Sequence, residues 1–198
     1  MSKIFSFHLI QSPQPYLPPH KRVLKLIDLI SQRAAKISFL PPRLLLTKNR
    51  KDIEYRVEFL RDVIDNGIAP QRTLYYQFIS DDDKGVILNV DIVAKNFLSL
   101  YHDIKANNIT NPIAIGQYSG KTINTRHIVR GKKTWKRYPN ENGYQVINGA
   151  HRLAVALFLN LENVPVRIYR SASFEIPNYT DYLQIKELEY KRNIENQN

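Results

Sequence analysis

The sequence predicts an α/β core running from about Val86 to Arg170 behind a helical N-terminal subdomain. Two observations carry this. Apolar residues recur at helical spacing in the first part of the chain, and from Val86 onward short apolar runs bounded by turn residues alternate with helical stretches, the order that builds a sheet with packed helices. The 198 residues, 43% hydrophobic and 24% charged, suit one globular domain with an appended subdomain.

In order along the chain, Pro18 and Pro19 lead into a stripe of Val23, Leu26, Ile27, Ile30, Ala34 and Ile37, and Pro41 and Pro42 stop it. This is an amphipathic helix with Lys21, Arg22, Lys25, Arg33 and Lys36 on its polar face, suited to core packing or to an acidic membrane surface. Ile53, Val57, Leu60 and Ile64 form a second helical stripe, ended by a left-handed turn at Gly67. Thr73 to Ile79 is rich in Tyr and Phe and fits either helix or strand. Val86 to Val90 reads as a short buried strand, after which Asp91 can cap a helix whose inner face is Val93, Phe97, Leu100, Tyr101 and Ile104. Asn107 and Asn108 end that helix, and Pro112 to Gly116 is the next strand. A basic loop follows, then a strand at Tyr144 to Ile147, a helix at Ala150 to Asn160 and a strand at Val164 to Tyr169. The domains are therefore 1–85, 86–170 and a polar C-terminal helix or tail, 171–198.

No apolar run is long enough to span a bilayer, and the N-terminus is a poor signal peptide, so a cytoplasmic location is expected. Cysteine is absent, which excludes disulfides, thiolate metal sites and cysteine nucleophiles. Lys plus Arg number 29 against 18 Asp plus Glu, a net charge of +11 that calls for an anionic partner. The excess is concentrated. Between Ile104 and Asn140 stand Lys105, Lys121, Arg126, Arg130, Lys132, Lys133, Lys136 and Arg137 and no acid. With Trp135 and Tyr138 interleaved, this stretch fits phosphates or nucleic acid, and also a solvated loop.

The chemistry concentrates at Val146-Ile147-Asn148-Gly149-Ala150-His151-Arg152, where a buried strand turns through a glycine into a helix. The first N–H groups of that helix are unpaired and the macrodipole is positive there; His151 and Arg152 add side-chain donors, and Gly149 lets a phosphate approach the backbone. The bland alternatives are that His151 caps and Arg152 pairs with a carboxylate.

Ile109 to Ile115, Tyr144 to Ala154 and Asn163 to Ile168, in that order and spacing, resemble the ParB/sulfiredoxin superfamily. The resemblance covers about Val86 to Arg170. It implies a small mixed sheet and a Gly-x-(His or Arg)-Arg turn that holds nucleotide phosphates, here Asn148, Gly149, Ala150, His151 and Arg152, with Lys132 and Lys133 assisting from the basic loop. The superfamily includes sulfiredoxins, CTP-dependent partition proteins, proposed nucleases and ADP- or ATP-dependent small-molecule kinases. Ala150 stands where sulfiredoxins carry their cysteine, which excludes sulfinic acid repair, and the 28 residues after Arg170 show no helix-turn-helix pattern of the partition proteins. The kinase branch is nearest in motif, although its Asp-Gly-His-His-Arg has Asn148 in place of the Asp.

What the resemblance then implies is a phosphotransferase using ATP or ADP, with CTP as an alternative, and Mg2+, acting on a small hydroxylated metabolite. Its site would be His151 with Asp91 as the acid that takes the hydroxyl proton. Asp91 serves equally as a helix cap, Asp103 lies well beyond it on the same helix, and Glu54 and Glu58 are alternative acids on the second helical stripe. The competing classes are a nucleic-acid-binding protein, possibly nucleolytic, and a nucleotide-binding regulator without turnover.

Overall fold

The structure, a computed structural model, describes residues 37–48, 50–80, 89–129, 132–169 and 176–178, the side chains of 124–129, 132–136 and 176–178 excepted. These residues belong to one compact unit, Lys36–Asn198. Strand β1, Ile37–Leu40, stops at Pro41 and Pro42, because a residue without an N–H cannot extend a ladder. Helix α1, Lys51–Leu60, continues into a wider turn at Arg61–Asp65, and Gly67 at φ +65° reverses the chain. Helix α2 is Leu74–Ser80, and α3 is Val90–Asn107. Strands β2, Ile113–Gln117, β3, Thr122–Val129, β4, Lys132–Pro139, and β5, Tyr144–Asn148, precede helix α4, Ala150–Phe158, and strands β6, Val164–Tyr169, and β7, Ile176–Asn178.

The fold is mixed α/β. One sheet runs in the order β1-β6-β2-β5, with β2 parallel to β6 and the outer pairs antiparallel; a second has the order β4-β3-β7. The core lies between the first sheet and the helices, where Ile113, Ile115, Val146, Val164 and Val166 of the strands meet the fully buried Leu153 to Ala156 of α4. On the far side of α4 lies an aromatic cluster: Phe59 of α1 stacks on Phe97 of α3 at 5.5 Å, and Tyr75 of α2 meets both rings edge-on. Helix α1 packs against α4 and carries Arg50 and Asp52 at its start. Arg50 Nη1 donates to the Val146 carbonyl of β5 at 2.6 Å, tying α1 to the strand that leads into the turn at Gly149.

Several expectations are corrected. Ile37, read as the end of the first helical stripe, begins β1, which pairs with β6 and so places part of the region assigned to residues 1–85 at the edge of the core sheet. The rest of that stripe, most of the strand expected at Val86 to Val90 and the C-terminal segment from Asp181 onward lie outside the described residues; Val90 itself is the first residue of α3, and Ile176–Asn178, within the segment 171–198 expected as a polar helix or tail, form β7 beside β3. The α3 cap is Asn89, whose side chain accepts from the Ile92 N–H at 3.1 Å, and not Asp91. The basic loop is a hairpin of two eight-residue strands, β3 and β4. Charge hid its alternating β-branched and aromatic residues. Among the described residues no helix is long and apolar enough to cross a membrane.

Candidate functional site

A cleft of about 450 Å³ opens where three pieces of the fold meet. Its walls are the C-terminal half of α3 (Leu100, Asp103, Ile104), the loop Asn108 to Asn111, and the turn from β5 into α4. Asn148, Gly149, Ala150, His151 and Arg152 all line it, so the structure brings these five sequence-predicted residues together.

The turn is built by backbone geometry. β5 pairs with β2 through a register shift that skips Ile147, a bulge that re-aims the chain just before the turn. Gly149 then takes φ +98° as the residue before α4. A Cβ there would be strained by that angle and would stand 2.9 Å from Arg152 Nη2 and 3.3 Å from Ile113 Cγ2. The Arg152 guanidinium thus folds back over the glycine, and its Nη1 donates to the Asn111 carbonyl at 3.0 Å, bridging two walls of the cleft. Burial lowers the Arg152 pKa from its usual value. Within α4 the first backbone bond is Leu153 N–H to the Gly149 carbonyl, so the N–H groups of Ala150, His151 and Arg152 have no earlier carbonyl of the helix to meet.

The cleft is also lined by Asp103, the sole carboxylate among the described residues that line it. Asn107 Nδ2 donates to its Oδ1 at 2.9 Å. Asp91 is elsewhere. It accepts from the Tyr76 hydroxyl at 2.8 Å and from Gln71 Nε2 at 3.4 Å, and from Asp91 to Leu100, the first cleft-lining residue of α3, the helix advances roughly 14 Å. Lys132 and Lys133 lie on β4, opposite Val129 and Ile128, in the other sheet; their side chains are outside the described residues. Glu54 pairs with Lys51 on α1 at 3.2 Å.

His151 is held from behind. Its Nε2 is 2.7 Å from the Tyr75 hydroxyl, and its ring meets Phe97 edge-on at 4.6 Å. Behind Tyr75 lies a buried charged group: Asp52 accepts from Arg50 Nε and Nη2 at 2.8 and 3.0 Å and from Arg56 Nη1 at 2.8 Å. Burial alone would raise the Asp52 carboxyl, but the charges and hydrogen bonds of the two arginines outweigh it and hold the pKa at about 2. Burial first and then the Arg56 charge lower His151 to about 3, and Asp52 only partly offsets them. The ring is therefore neutral at ordinary pH.

A pH dependence follows with a definite sign. The unfolded chain takes a proton on His151 near pH 6.5, whereas the folded chain resists it down to about 3, so the unfolded state binds more protons in that interval and stability falls as pH drops. The loss should reach the order of 4 kcal/mol near the lower end. Urea melts at steps from pH 7.5 to 4 should show this slope, and His151→Gln should flatten it; an unchanged slope would place the acid sensitivity elsewhere.

Sequence reasoning passed over Asp103, whose signal was its place between Leu100 and Ile104, both cleft-lining. It had no signal for Tyr75, Arg56 or Asp52, which reach the site only through the packing of α1 and α2. Among the described residues no three His, Cys, Asp or Glu cluster as a metal site. No family profile, no curated protein and no solved structure matches this chain.

Proposed function

We propose that this cleft binds a nucleoside di- or triphosphate with its Mg2+ and transfers a phosphoryl group to a small hydroxylated metabolite. The observation that carries the reading is that one cleft is lined both by the α4 N-terminus with Arg152 and by Asp103. The first end gathers backbone and guanidinium donors for phosphate oxygens, and the second places an acceptor for a hydroxyl proton. The resemblance of the turn to the nucleotide-binding turn of the ParB/sulfiredoxin superfamily supports it, with Asp103 taking the role first assigned to Asp91. His151, being neutral, contributes a hydrogen bond rather than a charge.

Calorimetry with ATP, ADP and CTP in the presence of Mg2+ tests this. The wild type should bind at least one of them, and Arg152→Ala should weaken binding by roughly 10- to 100-fold, the loss of hydrogen bonds from a charged group to phosphate. Absence of nucleotide binding would end the reading. A second reading, nucleic-acid binding, is favoured by the β3–β4 hairpin, whose register sets Arg126 opposite Trp135 and Asn124 opposite Arg137. Submicromolar binding of a DNA duplex at about 150 mM salt, with a steep salt slope, would replace the kinase reading by that one.

A further inference from the structure

The buried group behind His151 has no evident task in a cleft that needs only the turn, Arg152 and Asp103. Arg50 and Asp52 are 4% and 3% exposed, and a charged cluster so deep is costly to bury and an uncertain source of stability. Its outward connection gives it a role. Arg56, bound to the Asp52 carboxylate, also lies over the Tyr75 ring, its Cζ 5.3 Å from the ring centre. Tyr75, 1% exposed, in turn meets His151 Nε2.

The direction of this last bond is fixed by chemistry. The buried Tyr75 hydroxyl has one proton to place, and among the described residues the one acceptor at hand is His151 Nε2. If Nε2 carried the proton instead, the hydroxyl would only accept and its own proton would be buried without a partner. Nε2 is therefore bare, and in a neutral ring the proton sits on Nδ1, the nitrogen left over for the cleft that His151 lines.

We infer that Tyr75, packed beneath the Asp52-bound Arg56, is a positioning residue that fixes His151 in the Nδ1-protonated tautomer and so makes the ring an uncharged hydrogen-bond donor to a ligand's phosphate oxygens. This deepens the phosphate-site reading and rests on it for the ligand, though not for the tautomer. The device gives the anion site a donor that does not depend on protonation across the neutral pH range, and it leaves Arg152 to supply the charge.

Nitrogen-15 NMR of the full chain tests the tautomer directly. The wild type should show a protonated-type signal for His151 Nδ1 and a bare-type signal for Nε2, unchanged between about pH 8 and pH 5. In Tyr75→Phe the two nitrogens should average toward a mixture of tautomers, and ADP should bind roughly 3- to 10-fold more weakly, the loss of about one ordered hydrogen bond. A wild-type spectrum with the proton on Nε2 would overturn the inference, and so would a Tyr75→Phe protein with the wild-type tautomer and wild-type ADP affinity. If that variant does not fold, the wild-type spectrum decides alone. Failure of the wild type to bind ADP, CTP or ATP would overturn the ligand assignment, while the spectrum would still judge the network.

Discussion

Replacing Asp52 by Ala is expected to cost about 3 to 5 kcal/mol, enough to unfold much of the protein near room temperature. The reason is what remains behind. Arg50 is nearly inaccessible and Arg56 nearly so, and both direct donors at the one carboxylate between them, so its loss leaves two cations facing each other away from water. Asp52→Asn keeps the volume but not the charge and should fall between the two. A triple variant with Arg50→Met, Asp52→Leu and Arg56→Met should be far closer to wild type than Asp52→Ala, since it removes the charges together. Denaturant titration at pH 7 checks the order; an Asp52→Ala protein within about 1 kcal/mol of wild type would show that the arginines reach solvent or another anion. Because the folded carboxyl is held at about 2 against an ordinary 3.8, the contribution of Asp52 is complete above 3.8 and is lost as pH falls through 2, an interval that overlaps only the lower end of the one in which His151 acts.

Asp103→Asn is expected to lower turnover by about 10² to 10⁴ while leaving nucleotide affinity within a few fold, because it removes a proton acceptor from the cleft without touching the phosphate end. Asp91→Asn should leave both quantities near wild type, since that carboxylate engages Tyr76 and Gln71 near the start of α3. Steady-state kinetics with a competent acceptor, paired with calorimetry, separates the two. The reverse pattern, with Asp91→Asn inactive and Asp103→Asn active, would mean that the start of α3 reaches the acceptor by a route this geometry does not show.

The Gly149 turn was legible because its determinants are local. A strand, a glycine and a helix start within a few residues define the left-handed Gly149 and the free N–H groups whatever the rest of the chain does. The helical stripes of α1 and α3 were legible for the same reason, their periodicity being a property of consecutive residues; Ile53 and Leu60 are fully buried, and Phe97, Tyr101 and Ile104 nearly so. Where competing local signals overlapped, sequence alone misled. Ile37 extends a helical stripe but pairs with Arg167 in a strand, because a sheet edge was available to it, and the cations of β3 and β4 masked an alternation that cross-strand pairing realises.

Composition and local pattern by themselves determined the absence of cysteine, the strongly basic net charge, the mixed α/β class and the five residues of the turn. Tertiary structure alone decided which acid lines the cleft with that turn and what stands behind His151. Asp91 and Asp103 share one helix, and only the packing of α3 beside α4 distinguishes the end that meets the cleft. Arg50, Asp52, Arg56 and Tyr75 sit far from His151 in sequence, and no local propensity encodes their convergence. It arises because α1 and α2 bury their apolar faces against α4 and α3, and that burial carries the polar side chains inward to where they must satisfy one another.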